Sequence, residues 1–169
     1  CPLVLQRYAR DTGSEMPCTL SPLGENDCLS AKAVLLDKSV VLEEYRFESS
    51  GESTEVANWL KELISDPVWK EMPERLVVLN NEMFSYFCEQ ACEVVSHVRI
   101  DDVKGTAAKG ALFNQEQVPS ETLFYSVLFV DEKRCSDVPS KLKEKLKDGI
   151  LHIGGDASTG LGFCSVEVK

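Results

Sequence analysis

The segment HIGGDASTGLGF, residues 152–163, places four of the chain's ten glycines within nine positions. Two hydroxyl side chains, Ser158 and Thr159, lie between them. A run of main-chain amides without bulky side chains can form a concave surface for an anion or a sugar-phosphate chain. The alternative is a long hairpin connection in which glycines supply positive φ angles. The candidate contact residues of this glycine loop are Gly155, Ser158, Thr159, Gly160 and Gly162.

The glycine loop matches none of the familiar phosphate-binding or nucleophile motifs. A P-loop requires a Gly-Lys-Ser/Thr sequence after its glycines, and none follows here. A dinucleotide fingerprint requires a third glycine and a helix, whereas Gly160-Leu161-Gly162 precedes a predicted strand. Ser158 is not flanked as the Gly-x-Ser-x-Gly elbow of hydrolases demands.

A second segment that could contact a ligand is HVRIDDVKGTAAKGALF, residues 97–113, which has two glycines and several small side chains. We predict a hairpin or a protruding flap. One interpretation is a solvated hairpin tip. The other is a finger placed against a polyanion or a neighbouring subunit, because lysine and arginine on a protrusion neutralise phosphates. The candidate residues are Arg99, Lys104, Gly105, Thr106, Lys109 and Leu112, with His97 as a possible helper.

Conventional catalytic sets are poorly represented. Asp101 and Asp102 form a carboxylate pair, but adjacent residues of a strand point to opposite faces. The seven cysteines are irregularly spaced and include no Cys-x-x-Cys pair, so neither a structural zinc site nor a disulfide framework is indicated. We expect free thiols in a reducing cytoplasm.

Net charge and length limit the function classes. The 169-residue chain has a net charge of −10, which argues against a protein coated in nucleic acid. The acidic excess is concentrated in residues 1–95, and residues 96–169 are close to neutral, so a phosphate-facing surface is still open to the second half. No apolar run approaches the length of a membrane span. The chain does not begin with Met, and we expect a fragment or a processed product.

The predicted elements alternate strands and helices. Apolar spacing predicts a helix over 53–64 and a second helix over 82–92 capped by Asn80 or Asn81. The run LFYSVLFV, residues 123–130, predicts a strand buried on both faces. A helix over 138–149 and two short strands flanking the glycine loop complete the order, which is typical of an α+β sandwich of the split βαβ type.

Three stretches together resemble a known family. Residues 94–128 contain R-I-D, G-T-A, G-A-L-F, V-P and T-x-x-Y in the order found in the RAMP superfamily of CRISPR proteins. LHIGGDASTGLGF resembles the terminal glycine-rich signature of that superfamily. CPLVLQRYARD resembles a third stretch in its type III-B, or Cmr, backbone-subunit branch.

The resemblance implies an RRM-like, ferredoxin-like core with a protruding β-hairpin thumb. On this reading residues 1–169 are the C-terminal portion of a single RAMP domain, with the thumb at about residues 99–121. Such subunits stack as a helical filament along a guide RNA. The thumb and the glycine loop would then hold RNA backbone and unstacked bases.

The resemblance also implies partners and an activity. The partners are guide RNA, target RNA, copies of the subunit and other Cmr-type subunits, with no membrane involved. The intact protein would cleave target RNA with a divalent metal, Mg or Mn, through an aspartate loop that matches no position of this chain. The alternatives are a non-catalytic RAMP subunit that caps or bridges the filament, and an acidic protein-interaction scaffold without RNA binding.

Overall fold

A four-stranded sheet in the first half of the chain carries the core. The computed structural model describes residues 2–16, 22–131, 133, 137–147 and 149–168. The strands of the sheet are β1 (Asp27–Ser30), β2 (Ser39–Leu42), β3 (Tyr45–Glu52) and β4 (Val77–Leu79). Their spatial order is β2-β3-β1-β4, with β1 and β3 parallel and the other two pairs antiparallel.

The core forms where three strands bring apolar side chains to one face of this sheet. Cys28, Val40 and Phe47 are fully or almost fully buried, at 0%, 2% and 1% exposure. Met83 and Phe87 of a following helix are partly buried and pack against them. Burial of a side chain as large as phenylalanine contributes about 1.5–3 kcal/mol, so this small cluster is the main apolar anchor of the fold.

Five α-helices are described. Asn80 caps α4 as predicted, because its Oδ1 accepts a hydrogen bond from the Met83 amide at 2.7 Å. At the start of α2, the Ser53 hydroxyl donates to the Leu76 carbonyl and so ties this helix to the residue that precedes β4. The helices are α1 (Pro2–Thr12), α2 (Thr54–Lys61), α3 (Met72–Arg75), α4 (Asn81–Gln90) and α5 (Val138–Lys145).

The apolar stripe predicted for α4 is only partly core. Met83 and Phe87 contact the buried cluster, but Phe84 is 41% exposed and Cys88 is exposed. The helix therefore covers the sheet with a narrower face than its composition suggests.

Two separate two-stranded sheets follow α4. Strands β5 (Glu93–Ile100) and β6 (Ala107–Gln117) form a long antiparallel ribbon, which we call the ribbon. Strands β7 (Ile150–His152) and β8 (Phe163–Ser165) form a short pair that holds the glycine loop between them. The predicted strands on both sides of the glycine loop are confirmed.

The prediction of a doubly buried strand over 123–130 is wrong. The segment has no strand hydrogen bonding, and Phe124 and Phe129 are 70% and 91% exposed. Its composition is that of a central strand, but no described strand of this chain pairs with it by hydrogen bonds. Tyr125 is the exception, because its hydroxyl donates to the Asp11 carboxylate and its ring packs edge-to-face on Tyr8 of α1.

The α+β class is confirmed. One turn of 3-10 helix, Lys32–Val34, connects β1 to β2, where a split βαβ unit would have an α-helix. Strands β2 and β3 form a hairpin closed by a two-residue turn, Glu43-Glu44. Residues 17–21, between α1 and β1, lie outside the described residues.

Two further observations concern cysteines and membranes. Cys28, Cys88, Cys92 and Cys164 are free thiols, and the remaining cysteines lie outside the described residues. Of the helices in the described part, none is long and apolar enough to cross a membrane.

Candidate nucleic-acid interface

The tip of the ribbon is organised by Asp101. Its Oδ1 accepts hydrogen bonds from the amides of Val103 and Lys104, both at 3.0 Å, which is an Asx-type turn. Its own amide and carbonyl pair with Thr106 and Gly105 across the turn, each at 2.8 Å. Asp101 is therefore a structural residue of the tip and not half of a carboxylate pair.

The three predicted cationic residues are all exposed on the outer part of the ribbon. Within the described chain, Arg99, Lys104 and Lys109 form no ion pair. Asp101 and Asp102 offset two of these three charges, so residues 99–109 carry a small positive excess. The charge of the tip attracts a polyanion only weakly. Contacts made by the backbone and apolar side chains of the tip would have to add to that attraction.

The two faces of the ribbon differ. Ser96 Oγ and Asn114 Oδ1 are 2.8 Å apart, which places these residues on one face. By strand alternation Val98 and Leu112 share that face, and they are 49% and 73% exposed. Leu112 thus points away from the opposite face, where Gln115 lies.

The opposite face is partly covered. His97 and Phe113 stack there at a centroid distance of 5.4 Å and an interplanar angle of 20°. The Nε2 atom of His97 is buried and has no hydrogen-bond partner among the described residues. The structure thus places a stacked aromatic pair on the face that meets the glycine loop.

The glycine loop uses several of its own amides internally. The carbonyl of Asp156 accepts hydrogen bonds from the amides of Thr159 and Leu161 and from the Thr159 hydroxyl, at 3.0, 3.2 and 2.9 Å. Gly160 adopts a left-handed conformation, with φ 83°, and its amide donates to Ala157. The amides of Thr159, Gly160 and Leu161 are therefore used within the loop and do not face a ligand.

Gly162 is required by the geometry of the loop. Its φ is +76°, and a Cβ atom there would overlap the main-chain carbonyl oxygen of Ile153. The amide of the same residue, Ile153, donates a hydrogen bond to the Gly162 carbonyl at 2.8 Å. By contrast, Gly155 has open space around its Cβ position and an ordinary φ. Gly162 is needed to close the loop, whereas Gly155 leaves the loop backbone uncovered by a side chain.

One hydrogen bond joins the two candidate segments. Gln115 Nε2 of β6 donates to Asp156 Oδ2 of the glycine loop at 2.6 Å. Both side chains are partly buried, while Ser158 and Thr159 remain exposed. The glycine loop therefore lies against the base of the ribbon, and both segments remain accessible in the described structure.

The structure brings together only some of the predicted site residues. The glycine-loop residues approach the base of the ribbon, while Arg99 and Lys104 lie towards its far end. The linking residues Gln115 and Asp156 were missed as a pair, because 41 positions separate them. The Asp156 carbonyl closes the turn of the glycine loop, and its carboxylate accepts the hydrogen bond from Gln115.

A divalent metal finds no site in the described part of the chain. No group of three or more His, Cys, Asp or Glu side chains is arranged there to hold a metal ion. The metal expected for the intact protein is therefore assigned to no residue.

Comparison with known proteins decides the family. A family model described as the RAMP superfamily matches residues 23–165. The chain belongs to the RAMP superfamily. The match includes both the ribbon and the glycine loop, so both are parts of a RAMP-superfamily protein.

Among curated relatives of this RAMP chain is the CRISPR system Cmr endoribonuclease Cmr4 of Pyrococcus furiosus. It is 28% identical over 99% of the chain and 60% of its own length. The chain thus spans about 60% of the length of the curated relative that it matches.

Solved structures share the fold. Oligomeric Cmr4 from Pyrococcus furiosus matches with a TM-score of 0.60 and 19% identity, covering 97% of this chain and 62% of the other. A chain in the cryo-EM structure of type III-B Cmr-beta bound to cognate target RNA matches with a TM-score of 0.57 and 18% identity, covering 96% and 56%. At these identities the likeness shows a common fold.

Proposed function

We propose that this chain is part of a backbone subunit of a type III-B CRISPR effector and that it lies along guide RNA in a filament of such subunits. The RNA-facing surface consists of the ribbon and the glycine loop. The Gln115–Asp156 hydrogen bond carries the proposal, because it makes one continuous accessible surface of two segments 41 residues apart.

The shape of that surface supports a role in binding a strand without reading its sequence. Side chains are small or absent at Gly154, Gly155 and Ala157, so a ribose–phosphate chain can approach the backbone closely. On the face of the ribbon opposite the glycine loop, Leu112 offers an exposed apolar side chain against which an unstacked base can pack. Base pairing between guide and target would supply the sequence specificity.

The finer architecture belongs to the same proposal. The ribbon would be the thumb of a ferredoxin-like, RRM-like RAMP domain, and it begins at Glu93, earlier than the predicted boundary near residue 99. Further proposed partners are target RNA, copies of the subunit and other Cmr-type subunits, in the cytoplasm. The whole protein would cleave target RNA with a divalent metal. The names of the relatives support this activity, and no residue of this chain is assigned to it.

Filter binding of single-stranded RNA at several salt concentrations tests the proposal. The protein is the intact subunit assembled with its complex partners, and the variant is Lys104→Ala with Lys109→Ala. Each single-strand phosphate contact contributes about 0.7 to the slope of log K against log salt. We therefore expect weaker binding and a slope that is smaller by about 1.4 for the two lysines.

The matched control is Lys38→Ala with Lys70→Ala, two exposed lysines of the sheet region. It should leave both affinity and slope unchanged. Equal losses in the two double variants would indicate a general charge effect and would overturn the placement of RNA on the ribbon. Undetectable RNA binding by the assembled wild-type complex would favour the acidic scaffold instead.

A further inference from the structure

A cavity of about 480 Å³ opens at the junction of the β2–β3 turn, helix α4 and the base of the ribbon. It shares Glu93 with the base of the ribbon, but neither the ribbon tip nor the glycine loop contributes to it. Its size is within the range of small-ligand sites, which is about 300–1,000 Å³.

Three aromatic rings form one wall of this cavity. Tyr45, Tyr86 and Phe87 lie 5.4–5.7 Å apart, centroid to centroid, at interplanar angles of 71–86°. Phe87 also packs on the buried Phe47 at 6.2 Å, so the cluster is rooted in the core. Because the rings meet at steep angles, their faces point in more than one direction, and a face turned towards the cavity can contact a cation.

The hydroxyl groups fix the two tyrosines. Tyr45 Oη donates to Tyr86 Oη at 3.0 Å. This hydrogen bond is the largest contribution to a raised pKa of Tyr45, with desolvation and the nearby Tyr86 and Glu44 adding to it. The hydrogen bond holds the two rings together, and the raised pKa keeps Tyr45 a neutral phenol at neutral pH.

The rest of the lining is acidic. Glu43, Glu44 and Glu93 border the cavity, and its described lining includes no lysine, arginine or histidine. None of these three carboxylates forms an ion pair within the part of the chain that is described. Three uncompensated negative charges beside electron-rich rings repel phosphate and attract a cation.

We propose that this cavity binds a cationic side chain of a partner protein, with arginine preferred. A planar guanidinium can stack on an aromatic ring and also donate hydrogen bonds to carboxylates. The same chemistry excludes a nucleic-acid ligand, so the cavity would make a protein contact on a surface that RNA does not use.

A peptide titration followed by NMR tests this inference. The probe is acetyl-Gly-Arg-Gly-amide, and its neutral isostere with citrulline in place of arginine is the control ligand. We expect saturable shifts in the Tyr45 and Tyr86 ring signals with the arginine peptide only. Glu44→Gln together with Glu93→Gln should weaken binding about three- to fivefold or more, since each exposed ion pair contributes modestly.

Two variants at Tyr86 test the aromatic ring and its hydroxyl group separately. Tyr86→Phe keeps the ring and should keep most of the binding, whereas Tyr86→Leu should weaken it about three- to fivefold. Glu62→Gln, an exposed carboxylate outside the cavity, should have no effect. Equal binding of the citrulline peptide, unchanged affinity in the double glutamine variant, or the absence of saturable shifts would each overturn the proposal.

Discussion

The sheet region, from α1 to α4, and the ribbon region, from β5 to the end of the described chain, use their apolar residues in opposite ways. Every buried residue of the described chain lies between Ala9 and Trp69. Beyond Trp69, large apolar side chains such as Leu112, Phe124 and Phe129 are 73%, 70% and 91% exposed. Apolar burial drives folding, so stability comes mainly from the first region, while the second displays its side chains on a scaffold tied to it.

A few polar contacts make that tie. Glu167 beyond β8 accepts hydrogen bonds from the amide and hydroxyl of Ser65, at 3.0 and 3.2 Å. Ser165 Oγ donates to Asp66 Oδ2 at 3.1 Å. Together with the packing of Tyr125 on Tyr8, these surface hydrogen bonds position the later part of the chain, and many of its apolar side chains stay exposed.

The largest expected effect contrasts two phenylalanines. Phe47→Ala in the sheet should lower the free energy of unfolding by about 3–5 kcal/mol, because it removes a buried ring and leaves a cavity. Phe129→Ala, a change of the same type at an exposed position, should alter it by no more than about 0.5 kcal/mol. Urea denaturation followed by circular dichroism measures both. Similar losses in the two variants would contradict the division into a core and a display region.

Two glycines of the glycine loop give an intermediate effect. Gly162→Ala places a Cβ against the Ile153 carbonyl at a left-handed φ, and strain of this kind costs about 1–3 kcal/mol. We expect faster hydrogen exchange at the Ile153 amide, which donates to Gly162. Gly155→Ala is the control, since its Cβ meets open space, and it should leave that amide protected. Unchanged protection in Gly162→Ala would show that the loop adjusts without strain.

The smallest effect concerns the contact between residue 125 and helix α1. The Tyr125 hydroxyl, and then Arg10, lower the pKa of Asp11 below its ordinary value. Because the folded pKa is the lower one, this contact stabilises the fold fully above the ordinary aspartate pKa. The contribution is lost as pH falls through the lowered value.

Carboxyl-carbon NMR titration measures that shift directly. In Tyr125→Phe the midpoint of Asp11 should move upwards, towards the ordinary value, because the strongest hydrogen bond is gone. Tyr86→Phe removes a tyrosine hydroxyl elsewhere and should leave the Asp11 titration as it was. A midpoint that does not move in Tyr125→Phe would mean that Arg10 alone sets the pKa.

Local chemistry explains what could be predicted from the sequence. The Asn80 cap is encoded within four residues, and the strands beside the glycine loop follow from short apolar runs next to glycines. The Asp101 turn was also local, since an aspartate can bind the amides two and three residues ahead. Adjacent positions on a strand already argue against Asp101 and Asp102 as a catalytic pair, and the turn shows what the Asp101 carboxylate binds instead.

Contacts between distant residues could not be predicted in the same way. Nothing near Gln115 or Asp156 in the sequence indicates that they meet. The exposure of residues 123–130 was equally hidden, because composition shows that a segment suits a sheet interior but not whether neighbouring strands are present. The two segments of the site could thus be predicted from the sequence. The contact between them could be seen only in the folded structure.

The open segment 123–130 affects how the molecule behaves at high concentration. It is eight residues long, uncharged, free of proline and glycine, and rich in aromatic and β-branched residues, which are the features of segments that stack into cross-β fibrils. The net charge of −10 keeps copies apart by repulsion. Salt screens that repulsion over about 10 Å at 0.1 M, so ionic strength controls whether these segments from different molecules come close enough to pair.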